Sequence, residues 1–151
     1  MLRRVHGHNG YPGRWPADPA GWLTPSGLIE AWVAERDGTV AGQVGLAQGD
    51  NHPGLVQAVG RPLSELAEVV RLFVDPAARG AGLGAELLAV AAAHAVATGL
   101  HPVLEVVDDG GPAIALYERA GWRLIGTDTA TWTTPDGAYP GLRYYVSPEP
   151  A

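Results

Sequence analysis

Residues 69–84 join an apolar run, a glycine-rich loop and the start of an alanine-rich segment, and this order strongly limits the possible folds. The apolar run stops at Asp75-Pro76, and glycine then occupies alternate positions at Gly80, Gly82 and Gly84. Glycine allows left-handed backbone conformations and close approach to a ligand, and the first N–H groups of a new helix attract anions. The segment therefore predicts a strand, a phosphate-binding loop and a helix.

The absence of lysine narrows the choice of phosphate ligand, since all ten basic residues are arginine. A Walker A loop and a pyridoxal phosphate Schiff base both need lysine, so both are excluded. The dinucleotide fingerprint G-x-G-x-x-G is a closer alternative, although the spacing here is G-x-G-x-G. The different glycine spacing weakens the alternative of a small nucleotide-dependent oxidoreductase. The alternative stays open, because Glu105 lies near the distance expected of a ribose-binding acid.

Composition predicts one globular domain over residues 1–151, because 46% of the residues are hydrophobic and only 17% are charged. The absence of cysteine excludes disulfides and thiolate nucleophiles, and the five histidines show no metal-ligand spacing, so we expect no metal. A net charge of −6 argues against a nucleic-acid partner. No long apolar segment or signal-peptide pattern is present, which predicts a cytoplasmic protein with no membrane partner.

Two motifs in order carry a family resemblance. Arg79, Gly82 and Gly84 satisfy the pattern Arg/Gln-x-x-Gly-x-Gly/Ala, and residues 112–122 form a second segment, PAIALYERAGW, with a helix that ends at glycine and an aromatic residue. A strand-like stretch, residues 103–107, separates them. Together these features resemble the GNAT N-acetyltransferase family over roughly residues 67–132.

The resemblance implies a mixed α/β (α+β) fold with a mostly antiparallel central sheet flanked by helices. Residue patterns predict strands at 28–35, 39–47, 66–74, 103–107, 122–133 and 142–146, helices at 84–98 and 112–120, and a loop at 49–62. Asp37-Gly38 predicts a tight hairpin turn between the first two strands. The family begins with a strand and a helix before this hairpin, whereas only about a helical turn precedes Gly7, so we expect both to be shortened.

The resemblance also implies acetyl-CoA as co-substrate. Leu72 N–H would polarise the thioester carbonyl, and Phe73 and Val74 would line the pantetheine arm. The backbone of the loop would bind the pyrophosphate, through Arg79, Gly80, Ala81, Gly82, Leu83 and Gly84. Gly110 replaces an asparagine common in the family, so its bond to the cofactor arm must be absent or supplied by Asp108 or Asp109.

Two residues are candidates for the chemistry. Glu68 is the only acidic residue within residues 66–74 and stands eleven residues before Arg79, a spacing similar to the catalytic glutamate of the histone-acetyltransferase branch. We expect it to act as general base, and the alternative is a solvated strand end. Tyr117 matches the family's tyrosine near the thioester sulfur, where it would protonate the leaving thiolate; the alternative is helix packing.

The resemblance therefore predicts an acetyl-CoA-dependent N-acetyltransferase that acts by direct transfer in a ternary complex. A small-molecule primary amine is the favoured acceptor and a protein N-terminus the next. The main alternative is a non-catalytic acyl-CoA-binding or regulatory module. An aromatic cluster could serve as acceptor pocket or as core, through Tyr11, Trp15 and Trp22. A homodimer is compatible with the family pattern, with an interface near Trp132, Tyr144 and Tyr145.

Overall fold

The computed structural model describes residues 1–49 and 52–148. It contains five α-helices and six strands in those residues. In chain order these are α1 Leu2–Asn9, α2 Pro19–Leu23, β1 Leu28–Arg36, β2 Thr39–Ala47, α3 Pro53–Val59, β3 Leu66–Val74, α4 Leu83–Ala97, β4 His101–Val107, α5 Pro112–Arg119, β5 Arg123–Thr129 and β6 Gly141–Val146. Single 3-10 turns lie at Leu63–Glu65 and Pro76–Ala78.

The six strands form one sheet in the order β1-β2-β3-β4-β6-β5. Every neighbouring pair is antiparallel except β3 and β4, which run parallel because α4 crosses between them. The predicted mixed, mostly antiparallel sheet flanked by helices is therefore confirmed. The hairpin between β1 and β2 turns at Asp37 (φ 52°) and Gly38 (φ 75°), the conformation that an Asp-Gly turn favours.

The sheet opens along its middle. β3 and β4 pair only from Leu66 to Glu68, opposite His101 to Val103, although β3 continues to Val74. Along the described residues, the rest of that β3 edge therefore has no strand beside it. On its other edge β3 pairs with β2, where the register shifts between Gln43 and Gly45.

The register shift is a β-bulge that places two β3 residues, Arg71 and Leu72, opposite Val44 of β2. Arg71 has φ 54°, a left-handed conformation that is rare outside glycine. A bulge of this kind bends the strand and re-aims its side chains. As a result Leu72 and Val74 face the same side of the sheet as Val69, while Phe73 faces the opposite side.

The two faces of the sheet are covered by different helices. One face packs against α4 and α5 in the largest hydrophobic cluster, which includes Val44, Val69, Leu88 and Tyr117. The other face is covered by α3 around Leu55 and Leu66, and by α1 around Leu2, Val5 and Phe73. No helix in the described part of the chain is both long and apolar enough to cross a bilayer.

The predicted loop at residues 49–62 is wrong in its middle, where α3 forms. His52 precedes the helix and its Nδ1 accepts the Leu55 N–H, Pro53 is the first helical residue, and Gly60 follows the helix with φ 75°. Proline at the start and glycine after the end are helix boundaries rather than loop signals, and burial of Leu55 pays the cost of ordering the segment. Residues 50 and 51 of that prediction lie outside the described residues.

The chain ahead of β1 forms helices α1 and α2, with no strand among its described residues. The predicted helical turn at 2–6 extends to Asn9, and Gly10 ends it with φ 76°. Arg4 of α1 pairs with the buried carboxylate of Asp75, which follows β3. This ion pair fastens α1 to the start of the glycine-rich loop.

Candidate active site

The glycine-rich loop uses its glycines in two ways. Gly80 (φ 86°) and Gly82 (φ 79°) are left-handed, and a Cβ at either position would meet open space, so backbone conformation is what requires glycine there. Gly84 lies inside the first turn of α4, where an added Cβ would lie 3.3 Å from Leu116 Cδ2. The first two glycines therefore shape the loop, and Gly84 allows close packing of α4 against α5.

The loop presents a row of free backbone donors. The first intrahelical bond of α4 runs from Glu86 N–H to the Gly82 carbonyl at 3.1 Å. Within the described part of the chain, the backbone N–H groups of residues 80–85 make no hydrogen bond to a turn, a loop or a side chain. Residues 79–82 are exposed, so these donors and the positive end of α4 face solvent, an arrangement suited to phosphate.

The predicted pantetheine-binding residues lie on the open edge of β3. Leu72 and Val74 are partly buried against the α4 side, next to the gap between β3 and β4. The side chain of Phe73 is only 5% exposed and packs with Leu2 and Val5 in the α1 cluster. Phe73 can therefore contribute to a ligand site through its backbone, while its ring belongs to the core.

Glu68 lies at the last paired position of β3, where the sheet begins to open. Burial raises the pKa of its carboxyl from 4.5 to about 7, with a further increase from Glu105 and opposing effects of His52 and Arg71. No hydrogen bond to its carboxylate is found in the described residues, which also contain no fully buried side-chain polar atom without a partner. Among the described residues, the carboxyl oxygens of Glu68 therefore have no hydrogen-bond partner and are not fully buried.

His52 and Glu105 complete a small polar cluster around Glu68. The nearest ligand atoms of the three side chains lie within 4.8 Å of one another, a spacing at which a cation could be shared. His52 Nδ1 accepts the Leu55 N–H at 3.4 Å, and Nε2 lies 3.2 Å from Glu105 Oε2. Since Nδ1 accepts a hydrogen bond, the ring hydrogen is on Nε2, and this N–H donates a hydrogen bond to Glu105 Oε2.

This arrangement leaves His52 without a lone pair for a metal ion. The hydrogen bond to Glu105 is the main cause that raises the pKa of His52. The absence of a metal nevertheless stays a prediction, and the cluster itself was missed at the level of sequence. His52 belongs to a segment predicted as loop, and Glu105 was considered only as a ribose-binding acid.

Tyr117 lies on the opposite face of the sheet from Glu68. Its ring is 8% exposed and packs with Trp122 and Tyr145 at centroid distances of 6.4 and 6.1 Å. The hydroxyl makes no hydrogen bond to the described residues. It is not among fully buried polar atoms without a partner, so the oxygen retains some contact with solvent. Burial, with a smaller effect of Tyr11, raises the pKa of Tyr117, which keeps the phenol protonated and able to donate.

Gly110 has φ 71°, so the chain turns there in a left-handed conformation. The two candidate substitutes for the missing asparagine have other partners. Asp108 pairs with Arg143 at 3.1 Å, and Asp109 Oδ1 accepts the Gly111 N–H at 2.8 Å. Each of these contacts uses one carboxylate oxygen, so a role of Asp108 or Asp109 at the cofactor arm stays a prediction.

The aromatic residues divide between site and core. Tyr11 and Trp22 contact each other and Phe73, with ring centroids 5.7 to 6.5 Å apart, beside the open edge of β3. Trp15 contacts His6 instead. The suggested interface residues Tyr144 and Tyr145 are 3% and 0% exposed, because Tyr144 packs in the cluster under α3 and Tyr145 in the cluster under α4 and α5, so that suggestion is wrong for them. Trp132 is 48% exposed.

Within the described residues, one α/β fold combines an opened sheet, a row of backbone N–H groups without partners and an acid without a hydrogen bond. Comparison with known families agrees: the family model described as the acetyltransferase (GNAT) family matches residues 8–122. The chain belongs to the acetyltransferase (GNAT) family, as the two sequence motifs predict.

Curated relatives include mycothiol acetyltransferases from Cellulomonas flavigena and Nocardioides sp. The first is 33% identical over 78% of this chain and 32% of its own length. The second is 38% identical over 72% of this chain and 37% of its own length. The chain thus spans about a third of the length of these relatives.

Solved structures share the fold at low identity. A putative acetyltransferase from Salmonella typhimurium, solved with its cofactor acetyl-CoA, has a TM-score of 0.62 and 21% identity over 77% of this chain and 62% of that chain. The ribosomal-protein-S18-alanine N-acetyltransferase from Escherichia coli has a TM-score of 0.60 and 22% identity over 82% of this chain and 70% of that chain.

Proposed function

We propose that the chain is an acetyl-CoA-dependent N-acetyltransferase that transfers an acetyl group to a primary amine. The observation that carries the proposal is the opening between β3 and β4 after Glu68. Among the described residues, it leaves a strand edge without a neighbour between a row of N–H groups without partners at residues 80–85 and a carboxyl that makes no hydrogen bond and has a pKa of about 7. These features suit a long phosphate-bearing thioester on one side and an amine on the other.

The residues present fit acetyl-CoA as co-substrate. The N–H groups of residues 80–85 would bind its pyrophosphate, and the open edge of β3 would pair with the amide-containing arm. The Leu72 N–H lies at the bulge, where the strand bends, and would polarise the thioester carbonyl. Neither role needs a side-chain ligand, which agrees with the apolar nature of this edge.

Proton transfer would use groups on opposite faces of the sheet. Glu68 takes a proton from the acceptor ammonium, directly or through water, because its pKa of about 7 matches neutral pH. The amine nitrogen then bonds to the acetyl carbon as the carbon–sulfur bond breaks, and Tyr117 gives its proton to the departing thiolate. The amide nitrogen loses its second proton through water to the Tyr117 phenolate, and Glu68 releases the first proton to solvent. The chain has no cysteine to form an acyl-enzyme thioester, so we propose direct transfer in a ternary complex.

A small-molecule amine is the preferred acceptor and a protein N-terminus the second. Mycothiol acetyltransferases are relatives at 33% and 38% identity, and the chain matches about a third of their length. The relatives therefore support the acetyl transfer and leave the acceptor to be determined.

Thermal unfolding with acetyl-CoA, NAD or ATP at equal concentrations tests the co-substrate. A ligand at 100 times its dissociation constant adds about 2.7 kcal/mol of stability, a shift of roughly 5–10 °C for a domain of this size. Stabilisation by acetyl-CoA alone is expected. Stabilisation by NAD alone would overturn the proposal in favour of an oxidoreductase.

Acetyl transfer to an amine panel then tests catalysis with Tyr117→Phe. We expect kcat to fall about 100-fold, the usual contribution of a positioned acid, with unchanged acetyl-CoA affinity. Tyr139→Phe is the matched control, because Tyr139 is 61% exposed and outside the site. Acetyl-CoA binding without transfer to any amine would favour the non-catalytic module instead.

A further inference from the structure

Arg71 stands out because a charged residue occupies the strained position of the β3 bulge. Its φ of 54° is one of two positive values outside glycine in the described residues, and the other belongs to the hairpin turn. Its side chain lies on the sheet face of Trp22 and Phe73, the face on which Glu68 meets His52. The bulge therefore brings a cation to the acceptor side of the opened sheet.

The guanidinium of Arg71 is held in a fixed orientation by Trp22. Arg71 Nε–H donates to the Trp22 carbonyl at 2.9 Å, and Arg71 Cζ lies 4.2 Å from the centroid of the Trp22 ring. Stacking fixes the guanidinium plane, and the Nε bond fixes its rotation in that plane. Within residues 1–49 and 52–148, no hydrogen bond uses the two Nη groups, so one edge of the fork remains available.

The charge of Arg71 also has no carboxylate partner among residues 1–49 and 52–148. Arg4, Arg61 and Arg143 each pair with an acidic side chain, whereas none of the described acids pairs with Arg71. Its positive charge lowers the pKa of both Glu68 and Tyr11, which shows that it acts on the same space as the acceptor side. A planar guanidinium edge with two free donors matches a carboxylate bidentately.

We propose that Arg71 binds the carboxylate of an amino-acid acceptor whose amine faces Glu68. Glu68 and Arg71 are three positions apart along β3, about 10 Å of strand, which leaves room for an amine, one carbon, a carboxylate and two hydrogen bonds. This inference rests on the proposed function, which supplies the amine acceptor. It selects free amino acids over a protein N-terminus, where the neighbouring carboxyl is locked in a peptide bond.

Calorimetric binding to the chain saturated with CoA tests the inference without acetyl transfer. The probes are L-alanine, L-leucine, L-methionine and L-phenylalanine, each against its C-terminal amide, which keeps the amine and removes the negative charge. We expect at least one acid to bind 10- to 100-fold more tightly than its amide, as charge-assisted bidentate bonds do. In Arg71→Asn the two should bind equally, since asparagine tolerates the left-handed conformation but lacks the fork.

Arg61→Asn is the matched control, because Arg61 is half-exposed and its acidic partner in the described part of the chain is Glu65. Circular dichroism checks folding, and Arg71→Lys is the second variant: it keeps the charge, loses the fork and should retain only part of the preference. Equal binding of acids and amides to the unmodified chain, failure of all four acids to bind, or a preference that survives in Arg71→Asn would each overturn the inference. Preference without acetyl transfer to any amine would refute the proposed function, and only the contact of Arg71 with an amino-acid carboxylate would remain.

Discussion

Replacing Glu68 with glutamine is expected to stabilise the folded chain above pH 7, although it removes the proposed base. The carboxyl is partly buried and makes no hydrogen bond within the described residues, and burial raises its pKa from 4.5 to about 7. The charged form is therefore less well solvated in the folded state than in the unfolded chain. Glutamine resembles the neutral acid in shape and removes that penalty.

The size and sign follow from the two pKa values. Below pH 4.5 the group is protonated in both states and has no effect, and above pH 7 it is charged in both. Between these values the folded state binds more protons, so the stability of the unmodified chain falls as pH rises. The full penalty is up to about 3 kcal/mol at pH 8 and shrinks to about 1 kcal/mol at pH 5.

Urea unfolding at pH 5 and pH 8 measures this difference. We expect Glu68→Gln to exceed the unmodified chain by up to about 3 kcal/mol at pH 8, roughly 6–12 °C in melting temperature, and by no more than about 1 kcal/mol at pH 5. Glu35→Gln is the control, because Glu35 is exposed on β1. A gain that is the same at both pH values, or a loss at pH 8, would refute the reasoning.

Two further predictions concern the loop and the polar cluster. Gly82→Ala should lower stability by about 1 kcal/mol and weaken acetyl-CoA binding several-fold, because the left-handed conformation opposes a Cβ even where space is open. Urea unfolding measures the first effect and calorimetry the second. Gly13→Ala is the control and should show neither effect, because Gly13 has no positive φ. EDTA should leave acetyl transfer unchanged, because the Nε2–H of His52 donates a hydrogen bond to Glu105 and Nδ1 accepts one. Activity lost to EDTA and restored by a divalent ion would contradict this.

Much of the fold could be predicted because its signals are local. β2 and β3 match their predicted bounds, since the Asp37-Gly38 turn marks the start of β2 and Asp75-Pro76 marks the end of β3. The turn after α5 is also confirmed, with Gly121 at φ 85°. α3 was missed because Pro53 and Gly60, which mark its two ends, are also common in loops, and the burial of Leu55 is not evident from sequence.

The site depends on contacts that sequence patterns do not contain. In the sequence Arg71 is a charged residue within an otherwise apolar strand. Its position at a bulge and its contact with Trp22 depend on the register against β2 and on tertiary packing. His52 and Glu105 lie 53 residues apart and meet through tertiary packing. In the structure Glu68 pairs with Val103 in parallel, so Glu105, two residues further along β4, faces the same side, and this register is not contained in the strand patterns.

The short pairing of β3 with β4 also has a mechanical consequence. Three residue pairs join one half-sheet, β1 to β3, to the other, β4 to β6. Helix α4 bridges them, since Leu88 and Ala91 pack in one cluster with Val44 of the first half and Leu104 of the second. The two half-sheets are therefore joined at the end of β3 near Glu68 and separate beyond it. A ligand arm bound along the open edge of β3 would take the place of a strand between them.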